Sequence, residues 1–162
     1  MAVTVFLDTS ILLAGLIDFG PPSGAAQSIL HAVAGRTVTS AGTAWHCCLE
    51  FYSVSTRLPA EYRLTPADAA RLVCEEVFER LEVFDLPAGA RRELIDTAVE
   101  DALVGGRIHD AHIAAIARSS GAQVIVTDNR KHFVSSLRHG IRVETASEFS
   151  ASLRRKKGSP AG

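Results

Sequence analysis

Eight residues near the N-terminus, Val3-Thr4-Val5-Phe6-Leu7-Asp8-Thr9-Ser10, constrain this chain more than any others. Five β-branched and apolar residues run unbroken into an aspartate, and two hydroxyls and a helical pattern follow. An apolar run without alternation marks a strand buried on both faces, as in a parallel sheet. Open α/β sheets bind ligands beyond the carboxyl ends of their strands, which is where this order of residues puts Asp8. A simpler reading has Asp8 or Ser10 capping the next helix, and the other acids of the chain decide between the two.

The rest of the chain alternates in the same way. Helical spacing is expected at residues 10–17, and at 25–34 with Gly35 as the stop. A third helix, 45–58, is ended by Pro59 and is apolar on two faces. One carries Cys47, Phe51, Val54 and Leu58, the other Trp45, Cys48, Leu49 and Tyr52. Thr65-Pro66-Ala67-Asp68 is a helix start, with a capping hydroxyl, proline in the first turn and an acid three residues after the cap. That helix runs to about residue 80, with Ala69, Leu72, Val73, Val77 and Phe78 on one face. Two more are expected at 91–103 and 110–118, and a short one after the last strand. Strands are expected weakly at 36–40, and at 82–86, 123–126 and 141–143.

Strands alternating with helices imply βαβ units: an α/β domain with a central parallel sheet of about four to five strands flanked by helices. No repeat or linker divides the 162 residues, so a single domain is assigned to 1–150 and a basic, disordered tail to 151–162. The formal net charge of −1 excludes an obviously basic nucleic-acid binder, but not a nuclease whose acids hold metal ions. No apolar run approaches the ~20 residues of a membrane span, and Met1 leads straight into the first strand without the features of a signal peptide. Three cysteines, Cys47 and Cys48 adjacent and Cys74 distant, make a poor disulfide framework and point to a reducing cytoplasm.

Glu50 interrupts the Cys47–Phe51–Val54 stripe of the most apolar helix, where an ionised carboxylate is costly unless compensated. Pairing with a basic residue such as Arg57 is the structural alternative. Asp110 opens a helix of small residues, a place where capping and the helix dipole both favour aspartate. The alanines at 111, 114 and 115 let that helix approach its neighbours closely and place Asp110 deep. Asp128, in Thr127-Asp128-Asn129, repeats the logic of Asp8 at the end of a second buried strand, with a turn-initiating role as the alternative. Four carboxylates converging on one cleft repel each other unless cations intervene. Hard oxygen donors suit Mg²⁺ or Mn²⁺, and such ions activate water for phosphoryl displacement. The residues themselves therefore lead to a metal-dependent phosphodiesterase.

Four blocks then carry a resemblance: FLDTSILLAGL, LEFYSVSTRLP, GRIHDAHIAAIA and VIVTDNRKHF. In this order, and over nearly the whole chain from Val3 to about Phe149, they resemble PIN-domain ribonucleases, and the YSVSTRLP block is especially similar to VapC-type toxins of toxin–antitoxin pairs. The resemblance implies that Asp8, Glu50, Asp110 and Asp128 form an acidic cluster that binds Mg²⁺ or Mn²⁺ and cleaves single-stranded or looped RNA. It further implies that Ser10 supports the first aspartate, that the protein is a homodimer, and that a cognate antitoxin occupies the active-site cleft.

Other chemistry-bearing residues have plainer roles open to them. His109 and His112 flank Asp110 at a spacing that suits zinc, but no second ligand pair accompanies them. Cys47 and Cys48 read as small core residues. Arg57, Arg130, Lys131 and His132 are candidate phosphate contacts, with a solvated surface as the alternative. An aspartate-nucleophile phosphatase would need a second aspartate two residues after Asp8, where this chain has Ser10. A silent PIN-fold binding module would be expected to lack one or more of the acids, and a housekeeping RNA-processing nuclease would share all of them.

Overall fold

The computed structural model describes residues 4–158. Strand β1 (Val5–Leu7) is followed by α1 (Thr9–Leu16), α2 (Gly24–Ala34), β2 (Ala41–Ala44) and α3 (Trp45–Ser55). Helix α4 (Pro66–Leu72) continues as a π-helical turn (Val73–Phe78) into β3 (Glu82–Phe84). Then come α5 (Arg91–Glu100), α6 (Arg107–Ser119), β4 (Val124–Val126), a 3₁₀ segment (Arg130–His139), β5 (Arg142–Glu144) and α7 (Ala146–Gly158).

The five strands form one parallel sheet in the order β3-β2-β1-β4-β5. Val5 stands opposite Ala41 on one side and Val124 on the other, so β1 is the central strand. Its three residues are buried, as an apolar run without alternation requires. Helix α1 packs against both α2 and α3, α3 against α4 and α7 against α2, while α5, α6 and the 3₁₀ segment form a second packed set. The chain moves outward from β1 to β3 and then returns to β4, and right-handed crossovers made in opposite directions place these two sets on opposite faces. The order reverses between β1 and β4, and that switch point opens a crevice beyond their carboxyl ends. Asp8 and Thr127 stand at its mouth, one residue past each strand.

Several expectations are corrected. Residues 36–40 are not a strand; β2 lies five residues later, in Ala41-Gly42-Thr43-Ala44. Propensity favoured the β-branched Thr37, Val38 and Thr39, but the slot between β1 and β3 is enclosed on all sides and takes small residues. Helix α3 ends at Ser55, and its second apolar stripe is exposed except at Cys48. Phe78 is likewise exposed, its ring 6.2 Å from that of Trp45. The second half of the expected 66–80 helix is the π-helical turn, and α5 stops at Glu100.

The expected disordered tail is helical as far as Gly158, where the described residues end. Thr145 and Glu148 form a reciprocal capping box, the Thr145 amide donating to Glu148 Oε2 (2.9 Å) and the Glu148 amide to Thr145 Oγ1 (3.3 Å). Leu153 packs on the core and carries the helix past residue 150. Val3, in the strand expectation, and 159–162, in the tail, lie outside the described residues.

Candidate active site

Asp8 is 4% exposed. Although it precedes α1, its side chain makes no capping hydrogen bond to that helix. Instead one carboxylate oxygen, Oδ2, accepts hydrogen bonds from Thr127 Oγ1 (2.7 Å) and Ser10 Oγ (3.2 Å). Those hydroxyls are held in turn: Ser10 Oγ accepts from the Asp128 amide (3.1 Å) and Thr127 Oγ1 from the Asn129 amide (3.0 Å). Burial pushes the Asp8 carboxyl above its ordinary range; the Thr127 hydroxyl opposes this, and the like charge of Glu50 adds to it.

Glu50 lies on the half-open edge of α3, its side chain 38% exposed. Its neighbour is His46 on the next turn, Nε2 to Oε2 3.7 Å, rather than Arg57, which lies exposed beyond the end of the helix. Asp110 is in the first turn of α6, half-buried, with Oδ2 3.1 Å from His132 Nδ1. Burial raises its pKa, His132 opposes the rise, and Glu50 reinforces it. Glu50 thus acts on both aspartates and links the three acids into one electrostatic group. Asp128 is exposed, and its Oδ1 accepts from the Ala146 amide (3.2 Å) at the start of α7.

A sequence search centred on His109 and His112 misses His46, sixty-six residues away from His112, because only the packing of α3 near α6 reveals it. His46 Nδ1 and His112 Nδ1 are 2.9 Å apart, and the His46 and His109 rings meet at a tilt of 48° with centroids 5.2 Å apart. Burial lowers the pKa of His46 and of His112, and proximity to a second ring, His112 and His109 respectively, lowers each further. Both are held toward the neutral form, one N–H donating to the other's bare nitrogen. Thr127 was also missed as the main support of Asp8, though a hydroxyl at the end of a buried strand is a readable sign. Cys47 and Cys48 are inert core thiols, pushed by burial up to about 12 and about 11.

Among the described residues no group of three His, Cys, Asp or Glu side chains is gathered to hold an ion by itself. Asp8 nevertheless fits a hard cation. It is a nearly inaccessible carboxylate whose side-chain partners are hydroxyls, with no ion-pair partner among the described residues. An uncompensated buried charge is costly. Mg²⁺ is commonly held by one or two carboxylates, with water completing its octahedron, and Asp8 is a carboxylate of the kind such a site needs.

The model of the PIN domain family matches residues 5–135. Ribonuclease VapC40 of Mycobacterium tuberculosis is 29% identical over 127 residues, covering 76% of this chain and 85% of that protein. Among solved structures, PAE2754 from Pyrobaculum aerophilum superposes with a TM-score of 0.63 at 22% identity, covering 96% of this chain and 99% of that one. The DNA-bound VapBC from Salmonella typhimurium gives 0.61 at 21%, covering 89% and 98%. At these identities the two structures speak for the fold.

Proposed function

Because the chain belongs to the PIN domain family, we propose that it is a Mg²⁺- or Mn²⁺-dependent endoribonuclease acting as the toxin of a toxin–antitoxin pair. The observation that carries this reading is Asp8: a buried carboxylate at the switch-point crevice, held by two hydroxyls and matched by no protein cation among the described residues. Its relative's name, ribonuclease, supports RNA as the substrate.

Asp8, Glu50, Asp110 and Asp128 are the residues that would hold the metal. A divalent cation bound there would supply an activated water and neutralise charge on the phosphate under attack as the ribose oxygen leaves. Ser10 and Thr127 fix the Asp8 carboxylate in place, both bonding to one oxygen and leaving Oδ1 without a side-chain hydrogen bond. Such supporting bonds orient a ligand and tune its basicity. Each of the two outer acids has an imidazole beside it, Asp110 with His132 Nδ1 at 3.1 Å and Glu50 with His46 Nε2 at 3.7 Å. Asp128 bridges two structural roles: its amide holds Ser10 and its carboxylate the first turn of α7.

The partners proposed are a cognate antitoxin and a second copy of the chain. Their support is the resemblance to VapC-type toxins and the VapBC structure among the neighbours. Trp45, Leu49 and Tyr52 recur along the outer side of α3 and are exposed, with Phe78 beside Trp45. Contiguous exposed apolar surface marks partner sites, and we assign this one to the antitoxin. No helix among the described residues is long and apolar enough to cross a membrane; the cytoplasm is the proposed site of action. The test of the function is incubation of purified protein with total cellular RNA and Mg²⁺ or Mn²⁺, followed by mapping of new ends. Discrete cuts abolished by chelator support the reading, and intact RNA under every metal condition refutes it.

A further inference from the structure

A cleft of about 270 Å³ runs between α5, α6 and the 3₁₀ segment, with Asp110 in its wall. Asp110 is the one residue it shares with the proposed acid group. Four cations line it against two carboxylates. Two of the cations are engaged: Arg118 with Glu93 and His139, and Arg138 with Asp101. The other two, Arg107 and Lys131, are exposed and have no ion-pair or hydrogen-bond partner among the described residues. Arg107 and Asp110 line the cleft together, three residues apart in the first turn of α6. Leu94, Ala111, Ala114 and Ile141 contribute an apolar floor.

We infer that this cleft is a nucleotide subsite, seating the nucleotide next to the cut phosphate with its phosphate on Arg107 and Lys131 and its base on the apolar floor. The inference rests on the ribonuclease reading above. Free cations beside an apolar slot are the combination by which proteins take single-stranded nucleic acid, the charges tracking the backbone and the slot taking the base. The volume lies just under the ~300 Å³ at which small-molecule pockets begin, room for one base and sugar and too little for a duplex. Of the two carboxylates, Asp101 is paired with Arg138, and Asp110 has the His132 ring 3.1 Å away.

The test uses the full chain carrying Asp8→Asn, so that RNA survives, and a fluorescent single-stranded RNA of about 12 nucleotides read by anisotropy across a salt series. Replacing Arg107 and Lys131 together by alanine is expected to weaken binding about tenfold. It should also flatten the log–log salt slope by about 1.4, the value for two phosphate contacts on a single strand. Arg92→Ala, on the exposed side of α5 and paired with Asp96, is expected to change neither. Ala114→Phe, which fills the floor, is expected to weaken binding while leaving the slope alone, with circular dichroism checking its fold. Unchanged affinity and slope in the Arg107 and Lys131 double variant overturn the subsite. So does equal displacement of the RNA by an acidic peptide, which would make the cleft a site for anionic protein. Cleavage by the wild-type chain is scored separately. RNA cut by the wild type but bound normally by the double variant sinks the subsite alone. Binding as expected without any cleavage sinks the nuclease alone.

Discussion

Replacing Asp8 by asparagine should make the metal-free protein more stable at neutral pH. Both side-chain hydrogen bonds of Asp8 end on Oδ2, so an asparagine that puts its carbonyl oxygen there keeps both, and its amide takes the place of Oδ1. What is lost is the extra strength of bonds to a charged acceptor, roughly 1 kcal/mol for each of the two. What is removed is the desolvation of a nearly inaccessible charge, an effective penalty of several kcal/mol. The balance favours Asp8→Asn by about 2 kcal/mol, which for a chain of this size raises Tm by about 4–8 °C. The pH dependence has a definite sign. The folded Asp8 pKa is raised above the ordinary 3.8, so the native state binds its proton more tightly than the unfolded chain does. That contribution to wild-type stability is fully present below pH 3.8 and is lost as pH rises through the raised value. The gap between variant and wild type should therefore open as pH climbs from acid to neutral. Thermal melts of chelator-treated protein across that range read it directly. A variant no more stable than wild type at pH 7, with no trend in pH, would show that Asp8 is already compensated and would refute the reasoning.

Thr127→Val removes the 2.7 Å bond to Asp8; it is expected to weaken metal dependence of activity by about 10–100-fold, as loss of a ligand's support commonly does, seen as a shift in the Mg²⁺ titration. Leu49→Glu places a charge in the exposed α3 stripe and should abolish co-purification with the antitoxin while leaving RNA cleavage intact. Iodoacetamide at neutral pH should alkylate the native protein at Cys74 alone, because Cys47 and Cys48 are buried thiols held near 12 and 11; peptide mapping decides it.

The parallel sheet was readable because the runs that form it, Val5–Leu7 and Val124–Val126, are unbroken apolar strands. The same feature set Asp8 at a carboxyl end. Glu50 was conspicuous as an acid in an apolar stripe, although the stripe proves half open there. Strand β2 was missed because Ala41-Gly42-Thr43-Ala44 has no strand propensity of its own and is extended only by its two neighbours. The support of Asp8 by Thr127 joins residues 119 positions apart, and the His46–His112 contact spans 66; no local pattern encodes either. Helix α7 was legible as a short helix after the last strand, but its reach to Gly158 was not: the basic composition after residue 150 outweighed the capping box Thr145-Ala146-Ser147-Glu148 that starts it.

The central claim is that Asp8 anchors a divalent cation for RNA hydrolysis. The most direct measurement is the rate at which wild type and Asp8→Asn cut one labelled RNA across a Mg²⁺ titration. Saturable, metal-dependent cleavage by wild type, reduced at least about 10²-fold in the variant, is the predicted result. Cleavage that persists in chelator, or that Asp8→Asn performs as well as wild type, would contradict it.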